Sequence, residues 1–117
     1  MYIAQTWYRL VLRRLPLADA DPADRLDVAI LSRTVLEPIL GGGDPRLDKR
    51  SDFIGGSRGL AALEASVDSG EMAVAFALYP TGLADLFAVA DAGGIMPPKS
   101  TWFDPKLADG RLSLPLD

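Results

Sequence analysis

A run of seven consecutive apolar residues, 73–79, constrains the fold of this chain more than any other feature. Pro80 follows the run directly and cannot continue a strand, because proline lacks the backbone N–H that a ladder requires. A strand without polar positions must be covered on both faces, as in the middle of an α/β sheet. We therefore predict a central strand over residues 73–79.

Three further strands are predicted. Residues 6–13 alternate in character, with Tyr8, Leu10 and Leu12 on one face, and a period of two is typical of a strand. Shorter strands are expected at 52–55, after a charged loop, and at 111–114, near the end of the chain.

Three helices are predicted from start and stop signals. The first begins at about Pro22 with Asp21 as its N-cap and ends near Pro38, ahead of the glycines at 41–43. The other two are each bounded by a capping hydroxyl and a terminal glycine, Ser57 with Gly70 and Thr81 with Gly93. The inner face of the third helix is expected to comprise Leu83, Leu86, Phe87 and Ala90.

This order of elements indicates an α/β or α+β domain with a mixed sheet of about four strands and three helices in two or three layers. Residues 1–117 form a single domain in this interpretation, because the chain holds no repeat and no low-complexity linker.

The composition excludes several classes of function. The chain has no Cys and no His, which removes thiol catalysis, Ser-His-Asp chemistry and zinc sites built on these side chains. A formal net charge of -4 argues against general affinity for nucleic acid. Neither a signal peptide nor an apolar stretch long enough for a membrane span is apparent. We expect a cytoplasmic protein that binds neither nucleic acid nor membranes.

The charged loop 44–52 is the first candidate binding site. Its acidic residues miss the calcium-loop spacing, and the segment carries no net charge, so no metal site is predicted. Arg46, Lys49 and Arg50, flanked by glycines at 41–43 and 55–56, could instead hold an anion. In the alternative interpretation these charges neutralise one another in a salt-bridge cluster.

Residues 93–101 form the second candidate site, because they nearly match the phosphate loop GxxxxGK[ST]. Pro98 replaces the second glycine and has no N–H to offer a phosphate, which argues against a true nucleotide loop. Lys99, Ser100 and Thr101 still offer an ammonium and two hydroxyls to an anion. In the alternative, the proline pair stiffens the loop and Lys99 pairs with a nearby carboxylate.

The chain resembles a known family in the segments GDPRLDKRSDFIGGSRGL, VDSGEMAVAFALYPTGLADLFAVADAGGIMPPKSTWFDPKL and the closing RLSLPL. These are similar to the carboxy-terminal part of the bacterial and archaeal domain-of-unknown-function family 1015. The likeness extends over about residues 7–116, and MPPKSTWFDPKL is its most specific motif. Gly94 departs from the family pattern, which usually has an acid there, and residues 108–111 also vary.

The resemblance implies a part of a larger protein. Family members are longer, and their amino-terminal part carries a DGHHR-like motif similar to ParB/sulfiredoxin-type proteins, some of which are nucleotide-dependent kinases of free serine. This chain has no His and therefore lacks that motif. The resemblance thus implies a carboxy-terminal fragment, inactive alone, that serves as the accessory, phosphate- or anion-binding half of a free-serine-type phosphotransferase.

The same resemblance sets the expected ligands and partners. No cofactor is expected in this chain, and a nucleotide or pyrophosphate would belong to the full-length protein. The expected partners are the missing amino-terminal domain or a second copy, with a phosphorylated small molecule as the ligand class. The alternative is a non-catalytic structural or dimerisation module.

Overall fold

The structure is a computed structural model that describes residues 1–14, 19–43 and 48–101. Its first element is a β-hairpin in which β1 (Tyr2–Ile3) pairs antiparallel with β2 (Thr6–Trp7). The two residues between the strands, Ala4 and Gln5, have φ of 48° and 59°. Two successive left-handed residues make a type I′ turn, whose twist matches that of the flanking strands.

The predicted four-stranded mixed sheet is wrong. Within the described ranges the hairpin is the only sheet, and the strand predicted over 6–13 is confined to Thr6–Trp7. The apolar run 73–79 makes one isolated bridge, in which Ala75 and Tyr2 exchange backbone hydrogen bonds of 2.8 and 3.0 Å. Residues 52–55 form no strand. The strand predicted at 111–114 lies outside the described residues.

The reason for this difference is that sheets need neighbours. A short apolar run has the side chains of a central strand, but it forms a central strand only when neighbouring strands bond to both of its edges. Of the described residues, only Tyr2 pairs with the run 73–79. The layers predicted around a central strand are therefore absent from the part of the chain that the structure describes.

The first predicted helix is present as three short turns of different pitch. A 3₁₀ turn (Pro22–Arg25) leads into α1 (Asp27–Leu31), and a π-helical turn (Ser32–Leu36) follows. Asp21 caps the first turn as predicted, because its Oδ1 accepts a 2.8 Å bond from the amide of Ala23. The helix ends before Pro38, and this boundary confirms the stop signal.

The second and third helices lie where the sequence places them. They are α2 (Gly59–Asp68) and α3 (Leu83–Asp91). The predicted caps are wrong, because neither helix has a side-chain bond at its N-cap. Ser57 lies within a separate 3₁₀ turn, and the Thr81 hydroxyl donates instead to the carbonyl of Ser100 at 2.9 Å.

Both helices end at glycines as predicted. Gly70 (φ 79°) follows α2, and Gly93 (φ 68°) follows α3. After α3 the amide of Gly93 bonds to Ala90 and that of Gly94 to Val89, which is the hydrogen-bond pattern of a Schellman motif. A left-handed residue at this position explains why the sequence uses glycine there.

The core of the described residues is small. Its buried apolar side chains are Tyr2, Leu26, Ile30, Ala75 and Val89. Val89 is the most enclosed, with 1% of its surface exposed, and it faces inward from α3, which packs on Pro22–Arg25. The predicted inner face of α3 is wrong in part, because Leu83 and Phe87 are 66% and 60% exposed.

Two contacts organise these elements. Helix α2 packs on β1, and α3 packs on the 3₁₀ turn that precedes α1. None of the helices among the described residues has the length and apolar character needed to cross a membrane.

Candidate functional site

Residues 41–43 and 48–50 of the charged loop are joined through the carboxylate of Asp48 and the guanidinium of Arg50. Arg50 donates to it twice through its guanidinium, from Nε to Oδ1 at 2.9 Å and from Nη2 to Oδ2 at 2.7 Å. The amides of Arg50 and Gly43 donate to the same carboxylate at 3.0 and 3.2 Å. Nη2 of Arg50 also donates to the carbonyl of Gly41 at 2.7 Å.

These contacts determine what the loop can bind. An arginine and a glycine amide are groups expected to hold a phosphate, and here Arg50 and the amide of Gly43 hold the chain's own carboxylate. The hydrogen bonds from Arg50 hold the pKa of Asp48 well below its usual range, and Asp48 raises the pKa of Arg50 in turn. Asp48 therefore stays ionised, and Arg50 forms an ion pair with it.

Lys49 and Arg46 are the other two candidate anion-binding residues of this loop. Lys49 is exposed and lies beside Arg50, whereas Arg46 lies outside the described residues. The structure thus places Lys49 and Arg50 in one turn. Of these two described residues, Arg50 has an internal partner in Asp48.

The second site is a tight turn that presents Lys99. The amide of Ser100 bonds to the carbonyl of Pro97 at 3.3 Å, and Lys99 has φ 59°. Pro98 before a left-handed residue is the arrangement of a type II turn, which normally takes glycine at the position of Lys99. The turn therefore projects an exposed lysine at a conformational cost.

The hydroxyl of Ser100 is engaged in a hydrogen bond within the turn. Ser100 Oγ donates to the Pro97 carbonyl at 2.6 Å, and the Ser100 carbonyl accepts the bond from Thr81. Thr101 is exposed. Lys99, Ser100 and Thr101 are thus adjacent, but the serine hydroxyl is already bonded.

The two candidate loops are not joined by the described contacts. No hydrogen bond or ion pair between described residues connects the turn at 48–50 with the turn at 97–101. Across the described ranges, no three acidic side chains are grouped so that they could hold a metal ion. The sequence predicted two candidate anion-binding loops, and the described residues of these loops form two separate turns.

A third cluster was missed by the sequence reasoning. Tyr2 Oη donates to both carboxylate oxygens of Asp68, at 3.0 and 3.1 Å, and Trp7 Nε1 donates to Glu64 Oε1 at 2.6 Å. The two rings lie 5.1 Å apart. Glu64 and Asp68 are four residues apart on α2, a spacing that puts both carboxylates on one helix face and could have signalled the cluster.

The chemistry of this cluster is structural. Burial raises the pKa of Tyr2, and the bond to Asp68 adds to the shift, so the phenol stays protonated as a donor. An aromatic pair that donates to two helix carboxylates fixes the hairpin on α2. An open groove beside it, between the hairpin turn and the end of α2, has Asp68 and Glu71 as its charged lining.

Exposed apolar side chains outnumber buried ones. Of the described residues, five apolar ones are buried, whereas fourteen large ones are exposed. The exposed set concentrates in the segment after the hairpin and around α3, and comprises Ile3, Tyr8, Leu10, Val11, Leu12, Ile39, Leu40, Phe53, Leu60, Leu78, Tyr79, Leu83, Phe87 and Ile95. Large apolar patches on protein surfaces often mark interaction sites, so these side chains are candidates for an interface.

No family model matches this chain, and no curated protein or solved structure is significantly similar to it. The resemblance drawn from the sequence motifs therefore stays a prediction.

Proposed function

We propose that this chain is a non-catalytic interaction module, whose exposed apolar surface is covered by a partner. The partner, on the family resemblance, is the amino-terminal part that longer members carry. The observation that carries this proposal is the excess of exposed over buried apolar side chains among the described residues.

The charged groups support the same function. Arg50 is engaged by Asp48, and the carboxylates of Glu64 and Asp68 accept bonds from Trp7 and Tyr2. Groups held in this way position parts of the fold, and none of them is paired with a nucleophile as a catalytic base would be. These structural roles of the charged groups support an interaction module over a catalyst.

Helix α3 offers the clearest patch for a test. Leu83 and Phe87 are four residues apart, so they lie next to each other on the exposed face of the helix. We expect the isolated chain to bind the dye 8-anilinonaphthalene-1-sulfonate while its near-ultraviolet circular dichroism stays native. The double variant Leu83→Gln/Phe87→Gln should bind less dye, and Asp85→Asn on the same helix serves as the control.

Two outcomes would contradict the proposal. One is a natively folded chain that binds no dye. The other is dye binding that the double variant and the Asp85→Asn control leave equally unchanged, since the apolar surface would then lie elsewhere.

A second function, an anion-binding accessory half, is favoured by one observation. Lys99 is presented at an exposed turn in a left-handed conformation that a lysine adopts at a cost. Strain of this kind persists where the surroundings fix it, and it is common at binding sites. Thr101 is exposed beside the same turn.

The test is a calorimetric titration of the chain with pyrophosphate and ATP. If Lys99 contributes a charge-assisted contact, Lys99→Ala should weaken binding by about 1.5–3 kcal/mol. Arg58→Ala, at another exposed cation, should leave the affinity unchanged. Equal affinities for the wild type and Lys99→Ala would remove Lys99 from the site.

A further inference from the structure

The segment that follows the hairpin carries arginines and apolar side chains, and these indicate what kind of partner it binds. This inference rests on the proposed function. Residues 8–14 place Arg9, Arg13 and Arg14 among apolar side chains, and all seven residues are exposed. The ion pairs between described residues join other arginines to acids, and none involves these three. The segment is therefore both cationic and apolar.

Among the described residues, no strand pairs with the outer edge of β2 in the hairpin. Met1 and Tyr8 exchange backbone bonds of 2.9 and 2.7 Å, so they form a hydrogen-bonded pair of the antiparallel ladder. Such pairs alternate with non-bonded ones, and Tyr2 opposite Trp7 is the next pair. The backbone N–H and C=O of Trp7 accordingly face away from β1.

The sequence continues the pattern of a strand beyond that edge. Residues 9, 11 and 13 share the backbone orientation of Trp7 in an extended chain, because strands repeat every two residues. The segment 8–12 nevertheless forms no strand in the structure. A small sheet gains stability from each added strand, so a strand at the outer edge of β2 would extend the ladder along this segment.

We propose that residues 7–13 bind an extended, acidic strand of a partner protein, which adds to the open edge of the hairpin. Main-chain hydrogen bonds give such strand addition its affinity, and side chains at alternate positions give specificity. Carboxylates on the incoming strand complement Arg9 and Arg13. Apolar residues at the intervening positions cover Tyr8, Leu10 and Leu12.

The charges disfavour a second copy of this chain as the occupant. Antiparallel self-pairing would bring together two segments that each carry three arginines and no acid. In the register centred on Val11 it would also set Arg9 directly opposite Arg13, where like charges destabilise a sheet. A nucleic acid would satisfy the arginines but offers no strand backbone to the open edge. The net charge of the chain also opposes it.

The experiment uses a labelled peptide of alternating glutamate and valine, about as long as an average strand. Its affinity for the full chain is measured by fluorescence anisotropy at concentrations at which the peptide is monomeric. We compare a peptide with lysine for glutamate, a peptide interrupted by proline and a single-stranded DNA. Hydrogen exchange of the complex then locates the protected amides.

We expect the acidic peptide to bind at least about tenfold more tightly than the lysine peptide, because opposite charges across strands attract. The proline peptide should lose binding, since it lacks main-chain donors. Protection should appear at residues 7–13. Arg9→Glu/Arg13→Glu should reverse the charge preference, whereas Arg58→Glu, at an exposed arginine elsewhere, should not.

Four results would overturn this inference: equal binding of acidic and basic peptides, undiminished binding of the proline peptide, tighter binding of the DNA, or protection of residues 7–13 in a homodimer without peptide. A failure here is distinguishable from a failure of the proposed function. The chain would still bind the dye through α3 if only the acidic strand were wrong.

Discussion

Replacing Gln5 by glycine should stabilise the protein, because Gln5 is held at φ 59° in the hairpin turn. A left-handed conformation costs a residue with a Cβ roughly 1–2 kcal/mol, and glycine avoids that cost. Glycine also raises the entropy of the unfolded chain, which offsets about 0.5–1 kcal/mol of the gain. The net gain in the free energy of unfolding is therefore about 0.5–1 kcal/mol.

Thermal unfolding followed by circular dichroism measures this effect. The Tm of Gln5→Gly should rise by roughly 2–4 °C for a domain of this size. Thr6→Gly is the matched control, because Thr6 lies in β2, where glycine weakens a strand. If both variants lower Tm alike, the turn is not left-handed, and the assigned register of the hairpin is wrong.

Two further predictions concern the core and the acid stability. Val89→Ala should lower the free energy of unfolding by about 2 kcal/mol in urea titrations, whereas Phe87→Ala should change it by less than about 0.5 kcal/mol. A larger loss for Phe87→Ala than for Val89→Ala would mean that Phe87 faces the core, as the sequence predicted. The pKa of Asp48 is lower in the folded state than in the unfolded state. The ionised carboxylate therefore stabilises the fold above the unfolded-state pKa of about 3.9, and this stabilisation is lost as the pH falls through the folded-state pKa. Acid titrations should therefore show a steeper loss of stability below about pH 4 for the wild type than for Asp48→Asn, and identical profiles would contradict the Asp48–Arg50 pairing.

The helices were predictable because their signals are local. Asp21 and Pro22 start the first helical region, and Gly70 and Gly93 lie just beyond the ends of the other two. Each of these residues acts through its own backbone or the next turn, so no knowledge of the rest of the fold is needed.

The sheet was not predictable because pairing is non-local. The run 73–79 has the composition of a central strand, yet of these residues only Ala75 pairs with β1 among the described residues. The hairpin itself was missed, since Ala4 and Gln5 lack the Asn-Gly signature of a type I′ turn.

The internal hydrogen bonds of the two candidate loops were not foreseeable. Sequence alone cannot tell whether Arg50 faces a ligand or Asp48, because both offer an anion at hydrogen-bond distance. Likewise, the left-handed conformation of Lys99 follows from Pro98 only once the turn type is known.

Whether the exposed apolar surface needs a partner can be measured by sedimentation velocity of the unmodified chain over a range of concentrations. We expect the sedimentation coefficient to rise with concentration, since uncovered apolar surface drives association when the proper partner is absent. A single monomeric boundary with a constant coefficient at all concentrations would contradict it.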